Sequence, residues 1–382
     1  MKRKKNIICV TGTRADYPRV KPVLNILKLD KSIKLSLYVT GQHLEKDFGK
    51  TINEIKKDKF KILRKIKIFS KNDQLLGMNQ ALTRCIKKIS NYLQLDKPDL
   101  VLLTVDRIET FGSAIAAFTS NFPIAHIQGG EVTGTMDETI RHCVTKMSHI
   151  HFAATEKSRN RIICMGENIK NVHNVGCPYV DHMKNFKVFS HSKIERVLKN
   201  KLSKNFAIFI QHPVTSELKD NFNNFLTTIK SLKKFKNLQI ISIYSNSDAG
   251  GRKINDYLKK NTNFLVFKNL HEDIFLSLMS KCKFMIGNSS SGIREAEIYK
   301  IPVINIGTRQ NGRERNINVI DVDYKKTQIT RAINKCLYDG VFLKKIKKIK
   351  NLYGNGKASW KIVKLLKKQY NIGIQKIFHD NI

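Results

Sequence analysis

The sequence predicts an α/β protein made of two domains, each a doubly wound parallel sheet. Three observations carry this expectation. At 382 residues the chain is too long for one typical core. Apolar runs of strand length alternate with helical segments, which calls for parallel βαβ units. Those runs end in glycine and polar residues, and the pattern starts afresh near residue 206. The expected layout is a Rossmann-like domain over 1–185, a second over 186–355, and a basic helix over 356–382 packed back on the body, with the two domains facing a central cleft.

Asn6 to Val10 is an apolar strand that runs into Thr11-Gly12-Thr13-Arg14-Ala15-Asp16-Tyr17, and a helix follows from about Pro18 to Leu29. Strand, glycine turn and helix open a nucleotide-binding α/β unit, although this turn is not a dinucleotide fingerprint. Pro18 suits the first helical turn, where its missing N–H costs nothing. Arg14 at the strand end is either a phosphate ligand or a surface arginine. Lys34 to Val39 is a second strand leading into Gly41-Gln42-His43. A long helix over about 73–95 closes at Lys97-Pro98, and the apolar strand to Thr104 is of the kind buried inside a parallel sheet. Asp106 and Arg107 behind it read as a catalytic or ligand-binding pair, or as a helix cap with a local ion pair.

The stretch His126 to His142 follows the short strand Pro123 to Ala125. It gathers Gln128, Glu131, Asp137, Glu138, Arg141 and two histidines around three glycines. Gly129-Gly130 permits positive φ and close backbone approach. A plain strand-to-helix loop with a capping Asp or Thr would also fit here. The density of titratable groups at the carboxyl end of a strand, where open α/β sheets collect ligands, makes this the expected centre of the site. A helix over 136–147, a strand over 150–153 and a helix over 157–165 follow. The Lys/His/Ser-rich segment 185–205 reads as a domain connection.

The second half repeats the theme. Phe206 to Ile210 is a strand entering Gln211-His212-Pro213-Val214-Thr215, with a helix from Glu217 to about Phe235. The strand Leu238 to Tyr244 leads to Asn246, Asp248 and Gly250, and His271 opens another helix after the strand Leu265 to Phe267. Lys283 to Ile286 enters Gly287-Asn288-Ser289-Ser290-Ser291-Gly292, and Pro302 to Ile306 enters a loop with Arg309 and Arg313. Small residues before a helix expose several backbone N–H groups, which with the helix dipole makes an anion site; simple N-capping by Ser289 or Ser290 is the plainer alternative. Two domains aiming polar loops at a crevice suit a nucleotide-linked substrate. From Phe342 to Tyr370 there are ten Lys and no acid, with Trp360, Ile362, Leu365 and Leu366 at helical spacing. This reads as a helix docked on the body with a solvated Lys face, in preference to a membrane-surface helix.

A net charge of +39 invites a nucleic-acid reading, but its distribution argues otherwise. The 54 Lys are spread along the chain, whereas Arg14, Arg107, Arg141, Arg294, Arg309 and Arg313, among 16 Arg, sit in the glycine-containing motifs. Arg forks bind phosphate or carboxylate bidentately. No helix-turn-helix spacing or RNA-binding aromatic pattern accompanies the charge, so no nucleic-acid partner is expected. Seven scattered cysteines without a CxxC pair argue against a disulfide framework and against a zinc site. No apolar run approaches the about 20 residues a membrane helix needs. A cytoplasmic protein with no membrane insertion is expected.

Taken together, these motifs resemble the hydrolysing UDP-N-acetylglucosamine 2-epimerases that make N-acetylmannosamine for sialic-acid-type sugars. The resemblance rests on Gly12-Thr13-Arg14-Ala15-Asp16-Tyr17, Asp106-Arg107, Gly129-Gly130-Glu131 through Asp137, Ile140-Arg141-His142, Gln211 to Thr215, Asn246 to Gly250, Gly287 to Ser290, Gly292 to Glu295 and Gly307 to Gln310. It implies a glycosyltransferase-B-like fold, no metal or nicotinamide cofactor, and a homodimer or homotetramer. It also implies elimination of UDP followed by addition of water. The implied catalytic set is Asp106, Glu131, Asp137, His212 and Gln128. The implied substrate-binding set is Arg14, Asp16, Arg107, Asn246, Asp248, His271, Ser289, Ser290, Glu295, Arg309 and Arg313, with Arg14, His212, Ser289, Ser290 and Arg309 on the diphosphate and Glu295 on the ribose. A di-N-acetylbacillosamine nucleotide as substrate, a non-hydrolysing epimerase and a retasked glycosyltransferase are the alternatives.

Two positions depart from the family pattern. Thr104-Val105 stands where relatives often carry His-Gly or Leu-Gly, and Gln128 stands where many carry a glutamate counted as catalytic. Glutamine cannot transfer a proton but can hold a hydroxyl or amide. Either Glu131 takes over that work, or the substrate or activity has shifted.

Overall fold

The computed structural model describes residues 3–14, 16–46, 50–69, 75–133, 136–214, 217, 219–245, 250–368 and 373–380. The chain forms two compact units, one of Met1–Lys184 with Tyr353–Ile382 and the other of Asn185–Leu352.

The first unit holds strands β1 (Lys5–Thr11), β2 (Ile33–Thr40), β3 (Ile62–Ile66), β4 (Leu100–Thr104), β5 (Ile124–Ile127), β6 (Ile150–Ala153) and β7 (Val172–Asn174). All pairs are parallel, in the order β3-β2-β1-β4-β5-β6-β7. Successive strand residues face opposite sides, and the core divides accordingly. Ile7, Cys9, Leu37, Val39, Leu100 and Leu102 share one core cluster with the helix Tyr17–Leu29. Ile8, Val10, Tyr38, Val101 and Leu103 share another with Ala81, Cys85 and Ile89 of Leu75–Asp96 and with Val144 of Met136–Met147. Each such fully buried aliphatic side chain contributes about 1.5–3 kcal/mol.

The second unit holds β8 (Phe206–Ile210), β9 (Gln239–Ile243), β10 (Leu265–Phe267), β11 (Met285–Gly287), β12 (Val303–Ile306) and β13 (Val319–Val322). They are again parallel, in the order β10-β9-β8-β11-β12-β13. Renumbered within its unit, each sheet begins 3-2-1-4-5-6, the doubly wound order. In this order the first strand leads off in one direction and the fourth in the other. The crevice at that reversal lies between β1 and β4 in one unit and between β8 and β11 in the other.

Several expectations change. The segment 185–205 is not a plain connection. It carries the helix His191–Leu198, capped by Ser190 Oγ accepting from Lys193 N and buried through Ile194 and Leu198. The basic C-terminal stretch is two helices, Gly340–Lys347 and Ala358–Lys368, interrupted where Gly354 (φ +116°) and Gly356 (φ +90°) turn the chain. Only the second helix joins the first unit, where Ile362, Val363 and Leu366 enter the core; Trp360, expected on the same face, is exposed. The helix placed from Glu217 begins at Asn221. The edge strands β3, β7 and β13 were not anticipated. Among the described residues no helix is long and apolar enough to cross a membrane.

Candidate active site

In the first unit the carboxyl ends of β1, β4 and β5 bring most of the expected residues together. Val105, directly after β4, adopts φ +57°, an unusual conformation for a β-branched residue. It is held on both sides: its N–H donates to Ile127 O at 3.1 Å, and His126 Nε2 lies 2.9 Å from its carbonyl. Burial pushes the His126 pKa down to about 3, so the ring is neutral and donates that bond through Nε2–H. The turn so fixed presents Asp106 to Arg141, whose guanidinium Nη2 bonds its carboxylate. Both side chains are largely buried. The other end of the same guanidinium, Nη1, donates to the backbone carbonyl of Glu131 at 2.5 Å. One arginine thus ties the end of β4 to the loop after β5.

That loop is tightly built. Gly130 has φ +74°, and a Cβ there would fall 2.4 Å from Ser158 O, so only glycine fits. Gln128 also has positive φ, +66°, and both Gln128 and Glu131 are buried. Asp137, in the first turn of Met136–Met147, is half-exposed and lies 3.5 Å from Arg107. Asp106, Arg107, Gln128, Glu131 and Asp137 therefore share one end of one sheet.

The β1 turn departs from expectation. Arg14 is exposed at its tip, whereas Asp16 turns inward. The Asp16 carboxylate accepts from Thr11 Oγ1 at 2.6 Å, from Gly12 N at 2.9 Å and from Thr13 N at 3.2 Å. These bonds make Asp16 the residue that shapes the Arg14 loop.

In the second unit the ends of β8 and β11 are clasped by one residue. Asn288 Oδ1 accepts from His212 N at 2.7 Å, and Asn288 Nδ2 donates to His212 O at 2.8 Å. A Cβ at Gly287 (φ +127°) would lie 1.9 Å from Ile210 O, so the two strand ends meet only over a glycine. The Asn288 carbonyl accepts from Gln310 Nε2 at 2.9 Å and from Arg309 Nη1 at 3.3 Å. This sets the Arg309 fork beside His212. Burial first, and the Arg309 charge second, push the His212 pKa down to about 3. His212 is thus a neutral hydrogen-bonding group. In Arg309→Met the imidazole should protonate at higher pH, read as an upward shift of its NMR titration. An unchanged titration would show that burial alone governs it.

Ser289 caps the helix that follows, its Oγ accepting from Ser291 N at 3.4 Å. That helix spans only Ser290–Arg294, so the dipole expected behind Ser289 and Ser290 is small, and their donors are local N–H and hydroxyl groups. Glu295 is buried at its C-terminal end, and Arg313 is half-buried beyond Gln310. His271 is exposed and caps its own helix, its Nδ1 accepting from Asp273 N. Asn246 and Asp248, with Thr215, lie outside the described residues. Among the described residues no three His, Cys, Asp or Glu side chains are grouped to hold a metal ion. Sequence reasoning left out Arg141, Asn288 and Gln310 as site residues. They stood inside the quoted motifs, but their role is a tertiary bond that spacing does not reveal.

Residues 25–367 match the family described as UDP-N-acetylglucosamine 2-epimerase. The chain is 38% identical over 366 residues to a Legionella pneumophila protein named UDP-N,N'-diacetylbacillosamine 2-epimerase (hydrolyzing), covering 95% of this chain and 96% of that one. It is 36% identical over 324 residues to a Campylobacter jejuni protein named GDP/UDP-N,N'-diacetylbacillosamine 2-epimerase (hydrolyzing), covering 83% and 84%. The fold is similar to the crystal structure of a Neisseria meningitidis UDP-GlcNAc 2-epimerase bound to UDP-GlcNAc, with a TM-score of 0.83 at 22% identity over 95% of this chain and 100% of that one.

Proposed function

Because this chain belongs to the UDP-N-acetylglucosamine 2-epimerase family, we propose that it is a hydrolysing 2-epimerase of the cytoplasm acting on a UDP-linked, di-N-acetylated sugar of the bacillosamine type. One observation carries the reading. A carboxylate-rich cluster stands at the switch point of one sheet, and an arginine-and-amide cluster suited to an anion stands at the switch point of the other. The names of the two relatives support the di-N-acetylated substrate. The description of the family supports UDP-N-acetylglucosamine as a second substrate, and its conversion to N-acetylmannosamine for a sialic-acid-type pathway is the second reading.

The proposed chemistry assigns a task to each cluster. A base takes the C2 proton, and the C–H electron pair becomes the C1–C2 double bond. The C1–O bond breaks with its electrons leaving on the UDP β-phosphate. Arg309, the neutral His212 donor and the Ser289 and Ser290 groups offset that developing charge, with Glu295 on the ribose. Water then gives hydroxide to C1 and a proton reaches C2 on the opposite face. The sum is nucleotide sugar plus water giving the free 2-epimer plus UDP. Asp106, Glu131 and Asp137 supply the proton-handling groups, with Arg141 and Arg107 setting their places.

The test is to incubate the purified chain separately with UDP-N,N'-diacetylbacillosamine and UDP-N-acetylglucosamine. Free UDP and a free 2-epimerised sugar are expected, faster from the di-N-acetylated substrate. Nucleotide retained on an epimerised sugar would replace this reading with a non-hydrolysing one, and UDP release only with an added acceptor would replace it with glycosyl transfer.

A further inference from the structure

This inference rests on the nucleotide-sugar reading above and concerns which carboxylate removes the proton. Gln128 Nε2 donates to Glu131 Oε1 at 3.4 Å and to Cys177 Sγ at 3.3 Å. Its Oε1 is buried with no hydrogen-bond partner. The reversed amide would set oxygen against the carboxylate, so chemistry fixes the orientation. An orphaned buried acceptor and a left-handed backbone at a non-glycine residue are both unfavourable. Both coincide at the one residue that aims an amide N–H at Glu131. Asp106 and Asp137 are each placed by an arginine, Asp106 by Arg141 and Asp137 by Arg107.

We propose that Gln128 is a positioning residue for Glu131, and that Glu131 accepts the proton from the sugar C2. A neutral amide N–H orients a carboxylate without placing a charge beside it. The loop of Glu131 is held by Arg141 and Arg161, which bond the Glu131 and Gly130 carbonyls. Cys177 faces Gln128, and Asp106 and His142 adjoin Arg141. All of these groups are common to the parent chain and its Gln128 variants, so a difference in pH profile isolates the amide.

The experiment measures kcat and KM against pH for the full-length parent, Gln128→Glu, Gln128→Met and Glu131→Gln, with UDP affinity by calorimetry. Gln128→Glu brings a second carboxylate to Glu131, and like charges raise the pKa of one of them. The acid limb of its kcat profile should rise by about one pH unit or more. Gln128→Met should lower kcat about tenfold or more without a matching rise in KM. Glu131→Gln should lower kcat about a hundredfold or more. UDP affinity should hold throughout. Superposable profiles for the parent and Gln128→Glu, or parental kcat in Glu131→Gln, would overturn the inference. If the parent releases no UDP from either nucleotide sugar, the functional reading itself falls and takes this inference with it. If the parent turns over and the profiles coincide, only this inference falls.

Discussion

Arg141→Met is expected to lower turnover about a hundred- to a thousandfold and to remove about 3–5 kcal/mol of stability. Two losses combine. Asp106 keeps its largely buried charge without the guanidinium that balances it, and Glu131 loses the donor on its carbonyl. Removing one member of a buried ion pair is far more costly than removing both. The double variant Asp106→Asn with Arg141→Met should therefore regain much of the stability while staying inactive. Urea unfolding and initial rates on the four proteins decide the matter. Equal stability losses in the single and double variants would contradict the ion-pair account.

Asp106→Asn should lower turnover about a hundred- to ten-thousandfold while leaving UDP affinity unchanged. The amide can accept one hydrogen bond from Arg141 but neither balances its charge nor exchanges a proton at C2. His212, Arg309, Ser289, Ser290 and Glu295, proposed for UDP, belong to the other unit, where Asn288 bonds His212 and Arg309, and do not depend on Asp106. Asp137→Asn should also abolish turnover, but with little effect on folding, since its contact with Arg107 is half-exposed and such pairs are worth about 0–1 kcal/mol. Rates and UDP calorimetry on both variants check this. Full activity in both would end the case for carboxylate catalysis at this edge.

Much of this was legible in the sequence because the strands at the sheet centres are buried on both faces. Leu100–Thr104 and Phe206–Ile210 read as unbroken apolar runs, and their polar ends fell where ligands collect. The edge strands other than Leu265–Phe267 were not legible. Ile62–Ile66 carries Arg64 and Lys65, and Val319–Val322 carries Asp321, so neither shows a clean period. The helix His191–Leu198 hides for a related reason, with Ile194 and Leu198 its only buried residues. At the site, residue types marked the places but not the partners. Arg141 meets Asp106 across 35 positions, and Asn288 meets His212 across 76, distances over which only the sheet order makes neighbours. Asp16 shows the same limit, because a carboxylate in a glycine turn can serve either a ligand or the turn's own N–H groups. Here Gly12 and Thr13 take it.

The most direct test of elimination and hydration is turnover in D2O with oxygen-18-labelled water, analysed by NMR and mass spectrometry. The account predicts a free 2-epimerised sugar with one deuterium at C2 and the label at C1, and unlabelled UDP. A product that keeps its original C2 hydrogen, or UDP that carries the oxygen label, would contradict it.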